Sequence, residues 1–233
     1  MSVPTEEFAF PAPMLPSVEI AGGRQRFPVH RIYCVGRNYA DHAREMGADP
    51  VEPPVFFTKP ADAIVPNGAI VPFPSRTDNF QFEVELVAAI GTGGSNIPAG
   101  EALSHVFGYA VGNDLTRRDL QAASKKKGLP WDTGKAFDGS APIGTIRPAS
   151  RGHVQRGRIW LTVNGETRQR SDIAEMMWSV PQLIAELSTL FELKPGDLIY
   201  TGTPAGVGSL RPGDRIECGI DGLETLRNTL GVK

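Results

Sequence analysis

The sequence predicts an α+β fold that is mostly β, and three observations support this prediction. The 233-residue chain contains 26 glycines and 20 prolines, which favours many short strands and turns over a helical bundle. Asn164-Gly165 separates two strand-like runs and suits a type I′ hairpin turn. Residues 179–191 carry one apolar face at helical spacing, which suits a helix packed on a sheet. We therefore expect one main core in which the sheet dominates.

The composition limits the classes of function. Hydrophobic residues make up 40% of the chain and charged residues 21%, and the net charge of -2 gives no electrostatic case for binding nucleic acid or an anionic membrane. No apolar run reaches the length of a membrane span, and the N-terminus lacks the pattern of a signal peptide. The two cysteines, Cys34 and Cys218, form neither a disulfide framework nor a zinc motif. We expect a cytoplasmic protein with no nucleic-acid or membrane partner.

The N-terminal part of the chain predicts a short lead-in. Residues 1–16 contain four prolines and few periodic apolar positions, which predicts an arm on the surface. Residues 17–20 and 24–27 flank a glycine-containing turn and predict a hairpin. We assign residues 1–29 to this arm and hairpin, and residues 30–233 to a single larger domain.

The larger domain opens with a predicted strand at residues 31–35 and a predicted helix at residues 38–46. His42 and Glu45 lie three residues apart and share one helical face, where a carboxylate can orient an imidazole that acts as a base. The alternative is an exposed His–Glu pair on the surface. Residues 49–54 contain three prolines and cannot form a regular helix, so they predict a turn-rich linker and a candidate lid.

An acidic strand at residues 82–90 (FEVELVAAI) organises the rest of the chain. Because strand side chains alternate between faces, Glu83 and Glu85 project to the same side, in an apolar strand where two uncompensated carboxylates are costly. Asp114 follows a second strand-like run and adds a third carboxylate. Such an all-oxygen set suits Mg²⁺ or Mn²⁺. The alternative is an exposed edge strand whose carboxylates pair with lysine or arginine.

Two lysines follow other predicted elements. Residues 55–58 predict a buried strand that leads to Lys59, which either neutralises the carboxylates or contacts a substrate. Residues 116–128 predict a helix that ends at a glycine C-cap, with a lysine run at its solvated end. Residues 131–139 are irregular and polar, and they contain Lys135.

The C-terminal part predicts more β structure around a glycine-rich turn. Residues 198–201 predict a strand, and residues 202–208 follow it without the lysine of a P-loop. The backbone amides of this turn and the hydroxyl of Thr203 can hold a carboxylate. Residues 214–220 and 223–226 predict a final hairpin.

Several motifs in one order are typical of a known family. They are residues 37–45 (RNYADHARE), 56–60 (FFTKP), 83–85 (EVE), 113–119 (NDLTRRD), 134–135 (GK) and 200–204 (YTGTP). On these motifs the chain resembles the fumarylacetoacetate hydrolase family, most closely its small single-domain acylpyruvate and fumarylpyruvate hydrolases. The resemblance runs from about residue 32 to residue 218. It implies a mixed β-sandwich roll, a homodimer, and a site at the open end of the roll.

The resemblance also implies roles for individual residues. Glu83, Glu85 and Asp114 match the metal ligands. His42 and Glu45 match a catalytic dyad on a segment that orders over the substrate, and Lys135 matches the site lysine. Arg118, Gln121 and Thr203 match positions that contact the carboxylate and keto end of the substrate. As alternatives, Arg118 pairs with Asp119 or Asp114, and Thr203 only shapes its turn.

The implied activity is metal-dependent hydrolysis of the C–C bond in an acylpyruvate, a small-molecule 2-oxo acid, with Mg²⁺ or Mn²⁺ as the cofactor. The lid and the lead-in to residue 32 favour fumarylpyruvate, which is cleaved to fumarate and pyruvate in gentisate breakdown. Oxaloacetate decarboxylation and oxo-acid isomerisation are alternatives within the family. A non-catalytic protein that binds a cation or an oxo acid is the alternative from a different class, although such a protein needs no dyad.

Overall fold

The structure is a computed structural model that describes residues 8–45 and 53–232. Within these ranges the strands are β1 (Ser17–Glu19), β2 (Arg26–Pro28), β3 (Arg31–Val35), β4 (Phe56–Lys59), β5 (Ile64–Pro66), β6 (Ile70–Val71), β7 (Phe80–Phe82), β8 (Val84–Ile90), β9 (Val106–Asn113), β10 (Thr116–Arg117), β11 (Ala141–Ile143), β12 (Arg147–Pro148), β13 (Arg158–Val163), β14 (Glu166–Asp172), β15 (Asp197–Tyr200), β16 (Gly208–Ser209), β17 (Arg215–Ile220) and β18 (Leu226–Leu230). The helices are α1 (Ala40–Glu45), α2 (Arg118–Lys127), α3 (Asp132–Lys135) and α4 (Val180–Leu190). None of the helices in the described ranges has the length and apolar character needed to cross a bilayer.

Two large sheets build the core. The first has the strand order β4-β3-β15-β8-β9-β11-β5, with β12 also paired to β9, and the second has the order β14-β13-β17-β18-β6. The pairs β15–β3, β11–β5 and β18–β6 are parallel, whereas the neighbours of β8 and β13 are antiparallel. Strands outnumber helices in the described residues, and the two large sheets contain both parallel and antiparallel pairs. This confirms the predicted α+β, mostly β fold.

Strand β8 lies in the middle of the first sheet and is buried on both faces. One face packs toward the second sheet in a core that contains Val84, Leu86, Ala88, Ile90, Ile159, Leu161, Ile216 and Leu226. The other face packs with the β1–β2 hairpin in a core that contains Val18, Phe27, Ile32, Val87, Ala89 and Leu198. By the strand alternation, Glu83 and Glu85 continue the face of Val87 and Ala89. Both carboxylates are thus carried into the interior at one end of the central strand.

Several local predictions are confirmed. Asn164 and Gly165 have φ angles of 53° and 84°, as a type I′ turn between β13 and β14 requires. Gly128 ends α2 in the left-handed conformation, with φ 66°. Ser179 begins α4 with a capping box to Gln182. Each of these features depends on residues close in sequence, so the local pattern suffices to predict it.

Other boundaries differ from the prediction because tertiary contacts decide them. Helix α2 begins at Arg118 and not at residue 116, since Thr116 pairs with Gln81 of β7. The segment 131–139, predicted as irregular, contains the one-turn helix α3. Strand β4 forms the edge of the first sheet and is only half-buried, and β18 begins at Leu226 and not at residue 223. The predicted end of the dyad helix and most of the candidate lid lie outside the described residues.

Candidate active site

Three carboxylates meet at the end of β8 and β9. Glu83 precedes β8, Glu85 lies in it, and Asp114 directly follows β9, its antiparallel neighbour. The Asp114 N–H donates to the carbonyl oxygen of Glu83 at 2.8 Å, which fixes the two strand ends together. One carboxylate oxygen from each residue lies within 4.8 Å of the other two, and all three residues are at most 4% exposed. The alternative of a solvated edge strand is therefore wrong.

Three cations converge on this cluster from three different elements. Lys135, at the end of α3, places its Nζ 2.7 Å from Glu83 Oε2 and 2.6 Å from Asp114 Oδ2. Lys59, at the end of β4, lies 2.8 Å from Asp114 Oδ1, with angles outside hydrogen-bond geometry, and also donates to the carbonyl oxygen of Lys135. Arg118, at the start of α2, donates to Glu83 Oε1. Lys59 thus occupies the position of a neutralising charge.

Glu85 differs from the other two carboxylates. Its Oε2 accepts the backbone N–H of Gly202 at 2.8 Å, whereas its Oε1 is buried and has no hydrogen-bond partner among the described residues. Burial, with the nearby charges of Asp114 and Glu83, holds the pKa of Glu85 well above its usual range. Burial also raises the pKa of Glu83, but the charges of Lys135 and Arg118 outweigh it and hold that pKa below the usual range. Within residues 8–45 and 53–232, the buried carboxylate of Glu85 therefore has no direct ion pair with a lysine or arginine.

The donor set fits a divalent metal ion. Hard cations such as Mg²⁺ and Mn²⁺ prefer carboxylate oxygens, and the cluster supplies one oxygen each from Glu83, Glu85 and Asp114. A cation beside Glu85 Oε1 would give this buried oxygen the partner that it lacks. These three residues would hold the ion, with Lys135 beside it.

The predicted dyad forms, and its histidine is in the interior. His42 Nδ1 lies 3.1 Å from Glu45 Oε2, and the His42 side chain is only 4% exposed. Gly206 donates its N–H toward both oxygens of Glu45 at 3.3 Å, which ties the dyad to the turn after β15. The same turn donates the N–H of Gly202 to Glu85, so the dyad lies near the carboxylate cluster. The alternative of a surface pair is wrong for His42.

The residues predicted to contact the substrate, Arg118, Gln121 and Thr203, form hydrogen bonds with other side chains of the protein. Arg118 Nη1 donates to Gln121 Oε1 at 2.6 Å, so these two residues of α2 are brought together beside Glu83. Asp119 does not pair with Arg118. It accepts the Thr77 hydroxyl at 2.6 Å and two backbone N–H groups. Thr203 accepts a hydrogen bond from Gln169 at 2.8 Å and is buried, so its hydroxyl hydrogen remains to be donated.

The family model for the C-terminal domain of fumarylacetoacetate (FAA) hydrolase matches residues 31–231. This chain belongs to that family. A crystal structure of fumarylpyruvate hydrolase from Pseudomonas aeruginosa, in complex with Mn²⁺ and pyruvate, is 54% identical and has a TM-score of 0.95, with 97% of this chain and 100% of that chain covered. The fumarylpyruvate hydrolase of a Ralstonia species is 44% identical, over 78% of this chain and 94% of the relative. Oxaloacetate tautomerase FAHD1 of Mus musculus, a mitochondrial protein, is 44% identical over 84% of this chain and 89% of the relative.

These similarities confirm the family and fold that the sequence motifs predict. The chain has the fumarylacetoacetate hydrolase fold, and it belongs to a family of enzymes that includes hydrolases and isomerases. The buried acidic cluster and the Mn²⁺ complex of the Pseudomonas relative support a divalent metal ion at the site. The roles assigned to single residues stay predictions.

Sequence reasoning missed two residues that shape the site of this family member. Asn38 is fully buried, and its Nδ2 donates to the carbonyl oxygens of Trp178 at 2.8 Å and Thr201 at 2.7 Å. Gln169 lies in the hairpin strand β14, where its Oε1 accepts the N–H of Val84 and its Nε2 reaches Thr203. The one sequence signal for Gln169 was its polar side chain at an inward-facing position of a strand. Its partners, Val84 and Thr203, are distant in sequence, so this signal did not identify them.

Proposed function

We propose that the protein is a metal-dependent hydrolase that uses water to cleave fumarylpyruvate into fumarate and pyruvate. The observation that carries the proposal is the buried set of Glu83, Glu85 and Asp114, with an unpartnered oxygen on Glu85, near the His42–Glu45 pair. The Pseudomonas and Ralstonia relatives, 54% and 44% identical to this chain, are both named fumarylpyruvate hydrolases, which supports this substrate. We propose Mg²⁺ or Mn²⁺ as the metal, because the donor set is all oxygen.

The binding of the 2-oxo acid end needs positive charge. A metal ion held by Glu83, Glu85 and Asp114 would supply Lewis acidity toward the carboxylate and the adjacent carbonyl oxygen of the substrate. Arg118 and Lys135 add two more cationic groups at the cluster, each held in place by Glu83. When the C–C bond breaks, its electron pair goes to the pyruvate fragment, which leaves as an enolate. Lys135 stabilises that developing charge and is placed to supply a proton to the fragment.

The dyad supplies the base. When His42 Nδ1 donates to Glu45 Oε2, the Nε2 atom is the free acceptor and can remove a proton from water. The resulting hydroxide attacks the acyl carbonyl, and the fumaryl fragment leaves as the carboxylate. The N–H of Gly206 donates to the Glu45 carboxylate and ties it to the turn after β15. Because Glu45 in turn contacts His42, the fold fixes the orientation of the imidazole.

A second candidate reaction acts on oxaloacetate. The 44% identity with the oxaloacetate tautomerase of Mus musculus favours it. Tautomerisation moves a proton between carbon and oxygen of the same 2-oxo acid and needs no attacking water. Oxaloacetate decarboxylation likewise needs enolate stabilisation without hydrolysis, so both reactions make less use of a water-activating base than fumarylpyruvate hydrolysis does.

Product analysis with purified protein distinguishes these reactions. Fumarylpyruvate, acetylpyruvate and oxaloacetate are each incubated with Mg²⁺, with Mn²⁺ and with EDTA, using the native protein, His42→Ala and the exposed control His153→Ala. We expect EDTA-sensitive release of fumarate and pyruvate, a loss of about 10²-fold or more in His42→Ala, and a normal rate in the control. If only oxaloacetate is turned over, and His42→Ala retains this activity, the result would contradict the proposed hydrolase and support the second candidate reaction.

We also propose that the protein works as a cytoplasmic homodimer. Both cysteines are free and buried, which suits a reducing compartment. Leu129 and Phe191, both exposed, offer apolar area to a second copy. Light scattering of the purified protein measures the assembly, and a monomer at micromolar concentration would contradict the proposed dimer.

A further inference from the structure

One face of helix α2 leads outward from the active site. Arg118, Gln121 and Lys125 are spaced by three and four residues, so they lie on the same helical face. Arg118 and Gln121 are buried at the carboxylate cluster, whereas Lys125 is half-exposed. Seven residues separate Arg118 from Lys125, which corresponds to about 10 Å along the axis and a rotation of about 20°. Lys125 therefore stands at the outer end of the face that carries two predicted substrate contacts.

Aromatic rings connect Lys125 to the catalytic lysine. The Lys125 Nζ lies 5.9 Å from the centroid of the Trp131 ring. Trp131 contacts Phe57, with ring centroids 5.8 Å apart, and the Nζ of Lys135 lies 5.1 Å from the Phe57 ring. Trp131, Phe57 and Lys135 also line a cavity of about 340 Å³. A series of side-chain contacts along these rings thus links Lys135, at the carboxylate cluster, to Lys125.

Two other cationic side chains, those of Arg37 and Arg118, act on Lys125. A Cβ atom at Gly36 would lie 3.3 Å from the Trp131 ring, so the turn that carries Arg37 packs against the same tryptophan. Burial, followed by the charges of Arg37 and Arg118, keeps the pKa of Lys125 below its usual range. Like charges that gather at a half-buried position repel one another, and a bound anion relieves that repulsion.

We propose that Lys125 is a specificity residue that binds the second carboxylate of a dicarboxylic acylpyruvate. The proposal rests on the proposed function, because it places the 2-oxo acid end of the substrate at Glu83, Glu85 and Asp114. The seven-carbon chain of fumarylpyruvate spans about 8 Å when extended, since three bonds span ~3.8 Å. That length, together with the reach of a lysine side chain, is enough to cover the rise of about 10 Å between positions 118 and 125 along α2.

The first experiment compares substrates with and without the distal carboxylate. The values of kcat/KM for fumarylpyruvate and acetylpyruvate are measured with Mn²⁺ at one ionic strength for the native protein, Lys125→Met, Lys125→Arg and Lys126→Met. The neighbouring Lys126 is exposed and carries the same charge, so it controls for the general electrostatic field. We expect Lys125→Met to lower kcat/KM for fumarylpyruvate about 10-fold or more, mainly through KM. The value for acetylpyruvate should stay within about twofold, with Lys125→Arg partly restoring the loss.

A second experiment measures binding and does not depend on turnover. Calorimetry in the presence of Mn²⁺ compares 2-oxopimelate, a seven-carbon dicarboxylate that lacks the scissile bond, with 2-oxoheptanoate. We expect Lys125→Met to weaken binding of the dicarboxylate about 10-fold and to leave the monocarboxylate unchanged. Equal effects on both ligands, or equal effects of Lys126→Met, would overturn the proposal. If the native protein hydrolyses neither acylpyruvate, the proposed function fails, and the calorimetric comparison still decides the role of Lys125.

Discussion

Gly202 donates its backbone N–H to Glu85 Oε2 at 2.8 Å, and this bond joins the turn after β15 to the carboxylate cluster. Gly202 has a φ of 95°, which favours glycine, and a Cβ atom there would lie 2.7 Å from Asn38 Cβ. The same turn reaches Glu45 through the N–H of Gly206. One glycine-rich turn thus contacts both the carboxylate cluster, at Glu85, and the carboxylate of Glu45.

A methyl group at position 202 should disturb this connection. We expect Gly202→Ala to lower the free energy of unfolding by about 1–3 kcal/mol, from strained backbone and the contact with Asn38, and to weaken Mn²⁺ binding. Urea denaturation and metal titration measure the two effects. Gly68→Ala is the matched control, because Gly68 also has a positive φ of 79° but open space around its Cβ position. Unchanged Mn²⁺ affinity in Gly202→Ala would contradict the role of this turn.

Asn38 should matter for activity beyond its effect on stability. Asn38→Leu leaves the carbonyl oxygens of Trp178 and Thr201 without their donor, which costs about 1–3 kcal/mol of stability. Because Asn38 also holds the chain that leads into the dyad helix, we expect kcat for fumarylpyruvate to fall about 10-fold or more in the surviving folded protein. Asn228→Leu is the control, since Asn228 also donates to two carbonyl oxygens, far from the site in β18. Equal rates in the two variants would leave Asn38 a purely structural residue.

Metal should stabilise the native protein through Glu85. At a concentration of 100 times its dissociation constant, a bound ion adds about 2.7 kcal/mol to the free energy of unfolding, which raises Tm by roughly 5–10 °C for a chain of this size. We expect this shift with Mn²⁺, its reversal by EDTA, and a much smaller shift in Glu85→Gln. Glu217→Gln, which removes an exposed carboxylate, should keep the full shift. A shift of full size in Glu85→Gln would remove this residue from the ligand set.

Asp119 should contribute to stability above the acidic range. Burial raises its pKa, but hydrogen bonds from the Thr77 hydroxyl and from the N–H groups of Asp78 and Leu120 outweigh burial and hold the pKa below its usual value. A carboxyl group with a depressed pKa stabilises the fold above its unfolded pKa of about 3.9, and this stability is lost as the pH falls through the lower folded value. Urea midpoints between pH 7 and pH 3 should therefore fall less steeply in Asp119→Asn than in the native protein. If the urea midpoints of the two proteins fall equally with pH, titration of Asp119 does not contribute to the pH dependence of stability.

The local features of this protein follow from patterns of neighbouring residues. Alternation along a strand predicts that Glu83 and Glu85 share a face, and helical spacing predicts that His42 meets Glu45. The turn at Asn164 and Gly165 also follows from neighbouring residues alone, because only a few conformations suit such a pair. The family motifs added the metal set and the fold, since they cover widely spaced segments in a fixed order.

The partners of those residues depend on tertiary packing. The meeting of Lys59 and Lys135 with Asp114, and of the Gly202 amide with Glu85, depends on how β4, α3 and β15 pack around the central strand. Such contacts join residues far apart in sequence and have no period along the chain, so the sequence pattern does not specify them. The buried, uncompensated oxygen of Glu85 is the physical result of that packing, because burial and neighbouring carboxylates make its charge costly until a cation binds.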